Sequence, residues 1–137
     1  MAFRYLPHTA DVMFEASAET LEELFSESAR ALTHIMTDGV IVDRLTFPVS
    51  CTASSLEMLL FSFLSELIVL LDVEGLFVSS VATHISSSEG KWSLSGVVHG
   101  DVASSYEHHG DVKAPTYHRL FVGQENGLWI ARATVDI

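Results

Sequence analysis

The stretch from Ser55 to Val73 has fewer ways to fold than any other part of this chain. Leu56, Leu59, Leu60, Phe63, Leu67, Leu70 and Leu71 recur at helical spacing and form one unbroken stripe. Met58, Phe61, Leu64, Ile68 and Val69 widen the stripe until little polar surface is left. Ser54, with Glu57 three residues on, has the form of a capping box, and Gly75 past the far end supplies a stop. A helix this apolar either crosses a membrane or lies buried in a domain. Crossing takes roughly 20 residues nearly free of charge. Here Glu66 sits mid-helix, Glu57 and Asp72 bracket it, and no Lys or Arg flanks it to orient an insertion. The pattern predicts a central buried helix lying across a sheet, with no membrane partner.

The rest of the chain supplies that sheet. Phe3 to Leu6 reads as a short strand stopped by Pro7, His8 to Asp11 as a polar corner, and Val12 to Ser17 as a second, alternating strand. Thr20 with Glu23 opens a helix whose buried side is Leu21, Leu24, Phe25, Ser28, Leu32, Ile35 and Met36. Gly39, after Met36, Thr37 and Asp38, is placed to end it as a left-handed cap. Leu45, Phe47, Val49 and Cys51 alternate in a strand that Pro48 confines to a sheet edge, because proline has no N–H for a ladder. Leu76 to Ile85 and Trp92 to Val98 form a hairpin with its tip around Ser88 and Gly90. Asp101 to Asp111 reads as a surface loop with room for a short helical turn. Val112 to Val122 and Leu128 to Ile137 form the last hairpin, turning at Asn126-Gly127. With Val122 opposite Leu128, Asp136 falls opposite Ala114 and Ile137 opposite Lys113, so the chain ends inside a sheet. The expected fold is α+β, two helices packed on a mainly antiparallel sheet, in a single domain covering residues 1–137.

Charge narrows the possible partners. Eighteen acidic residues against seven basic ones leave a formal charge of −11, so a polyanion is repelled and direct nucleic-acid binding is not expected. Cations or a basic protein suit this surface better. Cys51 is the only cysteine, which rules out an internal disulfide, fits a reducing cytosol and reads as a core thiol. No basic segment followed by an apolar one opens the chain, so a cytoplasmic location is expected. Nothing in the sequence fixes a homo-oligomeric state.

Oxygen ligands at structural corners are the chemistry most visible in the residues. Asp11, Asp38, Asp136 and the terminal carboxylate of Ile137 fall at strand or helix ends, where hard divalent cations take such groups. Each also has an ordinary reading: Asp11 starting a turn, Asp38 closing a helix, Asp136 facing water. Asp38 is the least ordinary of them, since an anion at a helix C-terminus opposes the macrodipole and calls for a compensating cation or donor. The seven histidines lack zinc spacing: His108 and His109 are adjacent and there is no Cys-x-x-Cys. His8 and His118 are read as hydrogen-bonded groups at strand ends, and His108 and His109 as surface residues. Glu66 is either a buried acid with a raised pKa or the one exposed edge of its helix. No phosphate loop, nucleophile elbow or Ser/His/Asp order is present.

Taken together, His8-Thr-Ala-Asp11, the helix start at Thr20, Met36-Thr-Asp38, Phe63 to Leu67, Asp72 to Gly75, Lys113 to His118 and the terminal Asp136-Ile137 occur in an order that resembles the archease family across essentially the whole chain. The resemblance implies a non-catalytic cofactor of an RtcB-type tRNA-splicing RNA ligase, which joins ends carrying a 2′,3′-cyclic phosphate or 3′-phosphate using GTP. Such cofactors promote guanylylation of the ligase's active-site histidine and let it turn over repeatedly. A chaperone-like action on a tRNA methyltransferase is also associated with the family, and a stand-alone metal-dependent hydrolase is the competing class. For this chain the resemblance implies a divalent cation, calcium or alternatively magnesium or manganese, held by Asp11, Asp136 and the Ile137 carboxylate. Asp38, Lys113 and His8 would stand beside it or engage the ligase. The stretch after Gly100 is shorter and richer in histidine than the family pattern.

Overall fold

The computed structural model of the protein describes residues 2–6 and 11–137. Pro7, His8 and the rest of the corner before Asp11 lie outside the described residues. Strands β1 (Ala2–Leu6) and β2 (Asp11–Ala18) precede helix α1 (Leu21–His34); β3 (Leu45–Ala53) precedes α2 (Leu56–Glu74). The hairpins β4 (Leu76–Ser88)–β5 (Lys91–Val102) and β6 (Ala114–Glu125)–β7 (Leu128–Asp136) complete the chain. The helices pack on two antiparallel sheets rather than one, in the orders β1-β2-β7-β6 and β3-β5-β4. Pro48 lies on an edge strand, β3, as its missing N–H requires.

One hydrophobic cluster joins both sheets and both helices. Phe14, Ala16, Ala131, Ala133 and Val135 face it from the first sheet; Val49, Leu94 and Val98 face it from the second. Leu59, Leu60, Phe63, Leu64, Leu67 and Ile68 fill it from α2, and Phe63 meets Phe25 of α1 with ring centroids 5.4 Å apart. Burying each such large side chain contributes roughly 1.5–3 kcal/mol. Glu66 lies on the exposed side of α2, and among the described residues no helix is long and apolar enough to cross a membrane.

The helix ends depart from the sequence reading in instructive ways. Ser55, not Ser54, is the N-cap of α2, its hydroxyl accepting the Met58 N–H. With the cap there, Glu57 is no longer three residues away, and its carboxylate instead accepts the Val122 N–H of β6 at 3.0 Å. Gly75 ends α2 in the left-handed region at φ 64°, as expected. Gly39 is not a left-handed cap: α1 stops at His34 and closes through bonds from Ile35 and Met36 to Leu32 and Thr33, with the His34 ring against the Thr37 carbonyl.

Each helix leaves one sheet and serves the open edge of the other. Down one face of α1, Glu22, Ser26 and Thr33 accept the N–H groups of Ile85, Val81 and Val78 along the edge of β4. Glu57 of α2 does the same for β6. Unpaired edge groups are a template for unwanted strand pairing, and buried ones cost free energy unless bonded.

Both hairpins turn on two residues of positive φ, Glu89-Gly90 and Asn126-Gly127. Strands therefore run closer to the turns than predicted, and Val122 opposes Ala131 rather than Leu128. The predicted register nonetheless holds at Ala114 opposite Asp136, because β6 bulges: residues 117–120 stand against the single residue Ala133. Ile137, by contrast, lies past the end of β7 and outside the sheet.

Glu22→Ala and Glu57→Ala each orphan an edge N–H, for an expected loss of about 1–3 kcal/mol. Hydrogen exchange should accelerate most at Ile85 in the first variant and at Val122 in the second; uniform acceleration across the sheets would contradict edge sealing.

Candidate functional site

Three strand ends meet where the sequence places its ligand candidates. Asp11 opens β2 and pairs in register with Asp136 near the end of β7. Ala114, opening β6, pairs with Asp136 from the other side, and the Lys113 N–H donates to the Asp136 carbonyl at 2.8 Å. Directly opposite residues share a sheet face with Cβ atoms about 4.5–5.5 Å apart. Two carboxylates are thus held side by side, Asp11 half-buried and Asp136 exposed, with the chain terminus at Ile137 one residue further. Like charges directly opposite are destabilising unless something neutralises them.

The donor set suits a hard cation: carboxylate oxygens only, with no thiolate and no imidazole at these register positions. Among the described residues no three His, Cys, Asp or Glu side chains gather as a metal cluster. One rung back on the same face, Thr134 is 0% exposed and its hydroxyl has no hydrogen-bond partner. His8 lies outside the described residues.

Asp38 sits four residues past the end of α1, with its side chain 93% exposed. The donor expected to compensate it is present: His109 Nε2 lies 3.1 Å from its Oδ1, and the His109 N–H donates to the Met36 carbonyl. Asp38 also acts on β1. Burial and the Asp38 charge push Tyr5 up to about 12, and the Tyr5 hydroxyl donates to the Ala31 carbonyl. His108 is likewise more than a surface residue, contacting the Ala103 carbonyl at 2.9 Å and the Phe77 ring at 4.8 Å. His118 lies in the β6 bulge, its N–H bonded to the Thr116 hydroxyl.

Sequence reading missed the network that fixes this loop. Asp101 belongs to β5 and is 6% exposed; its carboxylate accepts from the Tyr106 hydroxyl and the Val102 N–H and pairs with Arg44 at 3.2 Å. Tyr106 in turn accepts the Val42 N–H, tying the segment that carries Asp38 to the loop that carries His109. Burial would raise Asp101, but the Tyr106 and Val102 hydrogen bonds and Arg44 outweigh it and hold the carboxyl below its ordinary range. Nothing in the spacing of these residues announces the network. On the outer face of the first sheet, Glu15 bridges Arg4 at 2.9 Å and Arg132 at 2.6 Å. Cys51 is half-buried on β3 rather than sealed in the core, and burial, with Glu66 adding, pushes its thiol up to about 11, which keeps it inert.

Comparison with known proteins agrees with this fold. Residues 3–137 match the model of the Archease protein family (MTH1598/TM1083). The archease of Methanosarcina mazei is 35% identical over 98% of this chain and 95% of its own length; that of Thermococcus gammatolerans is 36% identical over 98% of each. The solution structure of Methanobacterium thermoautotrophicum protein 1598 superposes with a TM-score of 0.84 at 29% identity, covering 98% of both chains. The crystal structure of a Thermotoga maritima archease, described as a possible chaperone, shares the fold at a TM-score of 0.61 and 19% identity, over 96% of this chain and 94% of its own.

Two substitutions check this description. Because the folded-state pKa of Asp101 is depressed, its stabilisation is present above the unfolded carboxylate pKa, about 4, and disappears as pH falls through the folded value. Denaturant melts from pH 7 to 2 should show a shallower acid loss for Asp101→Asn than for the parent, and an equal slope would refute the linkage. Thr134→Val removes an unbonded buried hydroxyl and should raise stability in chelator by about 1 kcal/mol.

Proposed function

The chain belongs to the archease family, and on that premise we propose that it is a non-catalytic cofactor of an RtcB-type tRNA-splicing RNA ligase, promoting guanylylation of the ligase's active-site histidine and repeated turnover. The observation that carries the reading is the register pair Asp11–Asp136 beside the chain terminus. Two ends of the polypeptide far apart in sequence deliver like charges to one spot, an arrangement that a bound cation would relieve.

In this reading Asp11, Asp136 and the Ile137 carboxylate hold a hard divalent cation, calcium as the family resemblance implies, with magnesium or manganese as alternatives. Bound there, the cation supplies a fixed positive charge that can order triphosphate oxygens at the partner's active site. Lys113, anchored through its N–H to Asp136, keeps β6 in register with the pair, and Asp38, held by His109, presents a carboxylate toward the same partner. The charge of −11 favours contact with the ligase over contact with its RNA. The action is cytoplasmic in this proposal, where GTP and the ligase meet.

A chaperone-like reading, toward a tRNA methyltransferase among other clients, has one observation of its own. Val69 and Val73, one helical turn apart on α2, are 51 and 72% exposed, a small apolar surface that a client could touch. The stand-alone hydrolase requires turnover on phosphoesters without any ligase, which the same purified protein and metal would reveal.

Guanylylation of the cognate ligase, measured with and without this protein, tests the proposal. Asp11→Ala and Asp136→Ala should each lose at least tenfold in stimulation. In chelator Asp136→Ala should melt no lower than the parent, since removing one of two opposed carboxylates relieves about 0.2–1 kcal/mol of repulsion. The parent should gain about 2.7 kcal/mol at calcium a hundredfold above its Kd, and both variants should gain little. Full stimulation by both variants would remove the site assignment.

A further inference from the structure

Three hollows of about 250, 410 and 430 Å³ adjoin one another along the C-terminal half of α2 and the loop before β6. The first and second share Asp72 and Lys113; the second and third share His108. They form one trough, from Val69 and Pro115 at one end, past Leu71, Met36 and Val112, to Asp38 and Tyr106 at the other. Its position follows from the fold: Gly75 ends α2 abruptly, and the Tyr106–Asp101 and His109–Asp38 contacts hold the loop across the gap.

The floor and rim differ in chemistry. Ile68, Val69, Leu71, Met36 and Val112 line the floor of the first two hollows, and Val69 leaves half of its surface in water. The rim carries the exposed carboxylates of Asp38, Asp72, Glu107 and Asp111 against a single ammonium, Lys113. An extended segment alternates its side chains between two faces, so aliphatic residues can enter such a floor while basic ones lie against the rim. A polyanion is repelled here, and a second copy of this chain would bring another −11.

The geometry points to this trough as the docking site for an extended, Lys/Arg-bearing segment of the partner ligase with aliphatic residues between its charges. The assignment rests on the ligase reading above and adds the surface by which the partner is held. It also explains how Asp38 and Lys113, far apart in sequence, serve one partner: they stand toward opposite ends of one trough. Lys113 is bonded to Asp136, so a segment seated there brings the partner to the edge of the acidic corner.

Binding of the cognate ligase to the full chain, measured in chelator at two salt concentrations, tests the assignment apart from the cation. Asp72→Lys with Glu107→Lys should weaken binding at least tenfold at low salt and flatten its salt dependence. Val69→Gln, at an exposed position that leaves the core untouched, should weaken it severalfold at both. A photo-crosslinker in place of Val69 should capture a ligase peptide carrying Lys or Arg. Variants binding within twofold of the parent, or a crosslink to an acidic peptide or to a second copy, would overturn the trough while leaving parent-stimulated guanylylation intact. Absence of guanylylation stimulation by the parent would instead overturn the ligase reading and the trough's occupant with it.

Discussion

Two glutamates hold the architecture together from opposite sides. Glu22, at the start of α1, accepts an N–H from the edge of β4, and Glu57, at the start of α2, accepts one from the edge of β6. Each is the second residue after its N-cap, where the helix macrodipole favours a carboxylate anyway. The same charge therefore stabilises a helix start and satisfies a strand of the sheet that helix did not come from. This reciprocity makes one core out of two sheets. If α2 only covered its own β3, the β6 edge would stay open.

Once the sheets are fixed, the acidic corner follows from register alone. Asp11 and Asp136 meet because β2 and β7 pair without a shift from Ala18–Trp129 to Asp11–Asp136. No side-chain contact is needed to bring them together, and a fold selected only for stability would have little use for two carboxylates in that relation. The nearby loop shows opposite electrostatics. Asp101 is surrounded by donors, and Asp38 has its own imidazole. The Asp11–Asp136 pair differs in bringing two carboxylates face to face across one ladder.

Much of this was legible in the residues, with a consistent boundary. Periodicity located both helices, Asn126-Gly127 located the last turn, and Pro48 identified an edge, because each is a local requirement that packing does not override. Asp11 and Asp136 stood out as carboxylates at strand ends, but that they meet depends on β2 pairing with β7, which only the family's motif order suggested. What stayed hidden was decided between elements. Ser54 and Ser55 are equivalent by composition, and the choice fell to Ser55 when Glu57 was needed at Val122. Gly39 looked like a cap, but His34 and the Leu32 and Thr33 carbonyls had already closed the helix. The Asp101–Tyr106–Arg44 network and His109 have no periodic signature, since their partners are brought in by the loop's path.

The bulge in β6 gives the two flanks of the corner unequal tolerance to change in length. Four residues facing one, with Arg119 in the left-handed region, amount to slack stored in a single strand. An insertion or deletion there can be absorbed like take-up in a belt, and Lys113 keeps its place beside Asp136. Strand β7 has no such reserve, being in step with β2 along its whole length. Drift in the family's sequence length should accumulate on the slack side, while the count of residues from Gly127 to the last carboxylate behaves as a ruler.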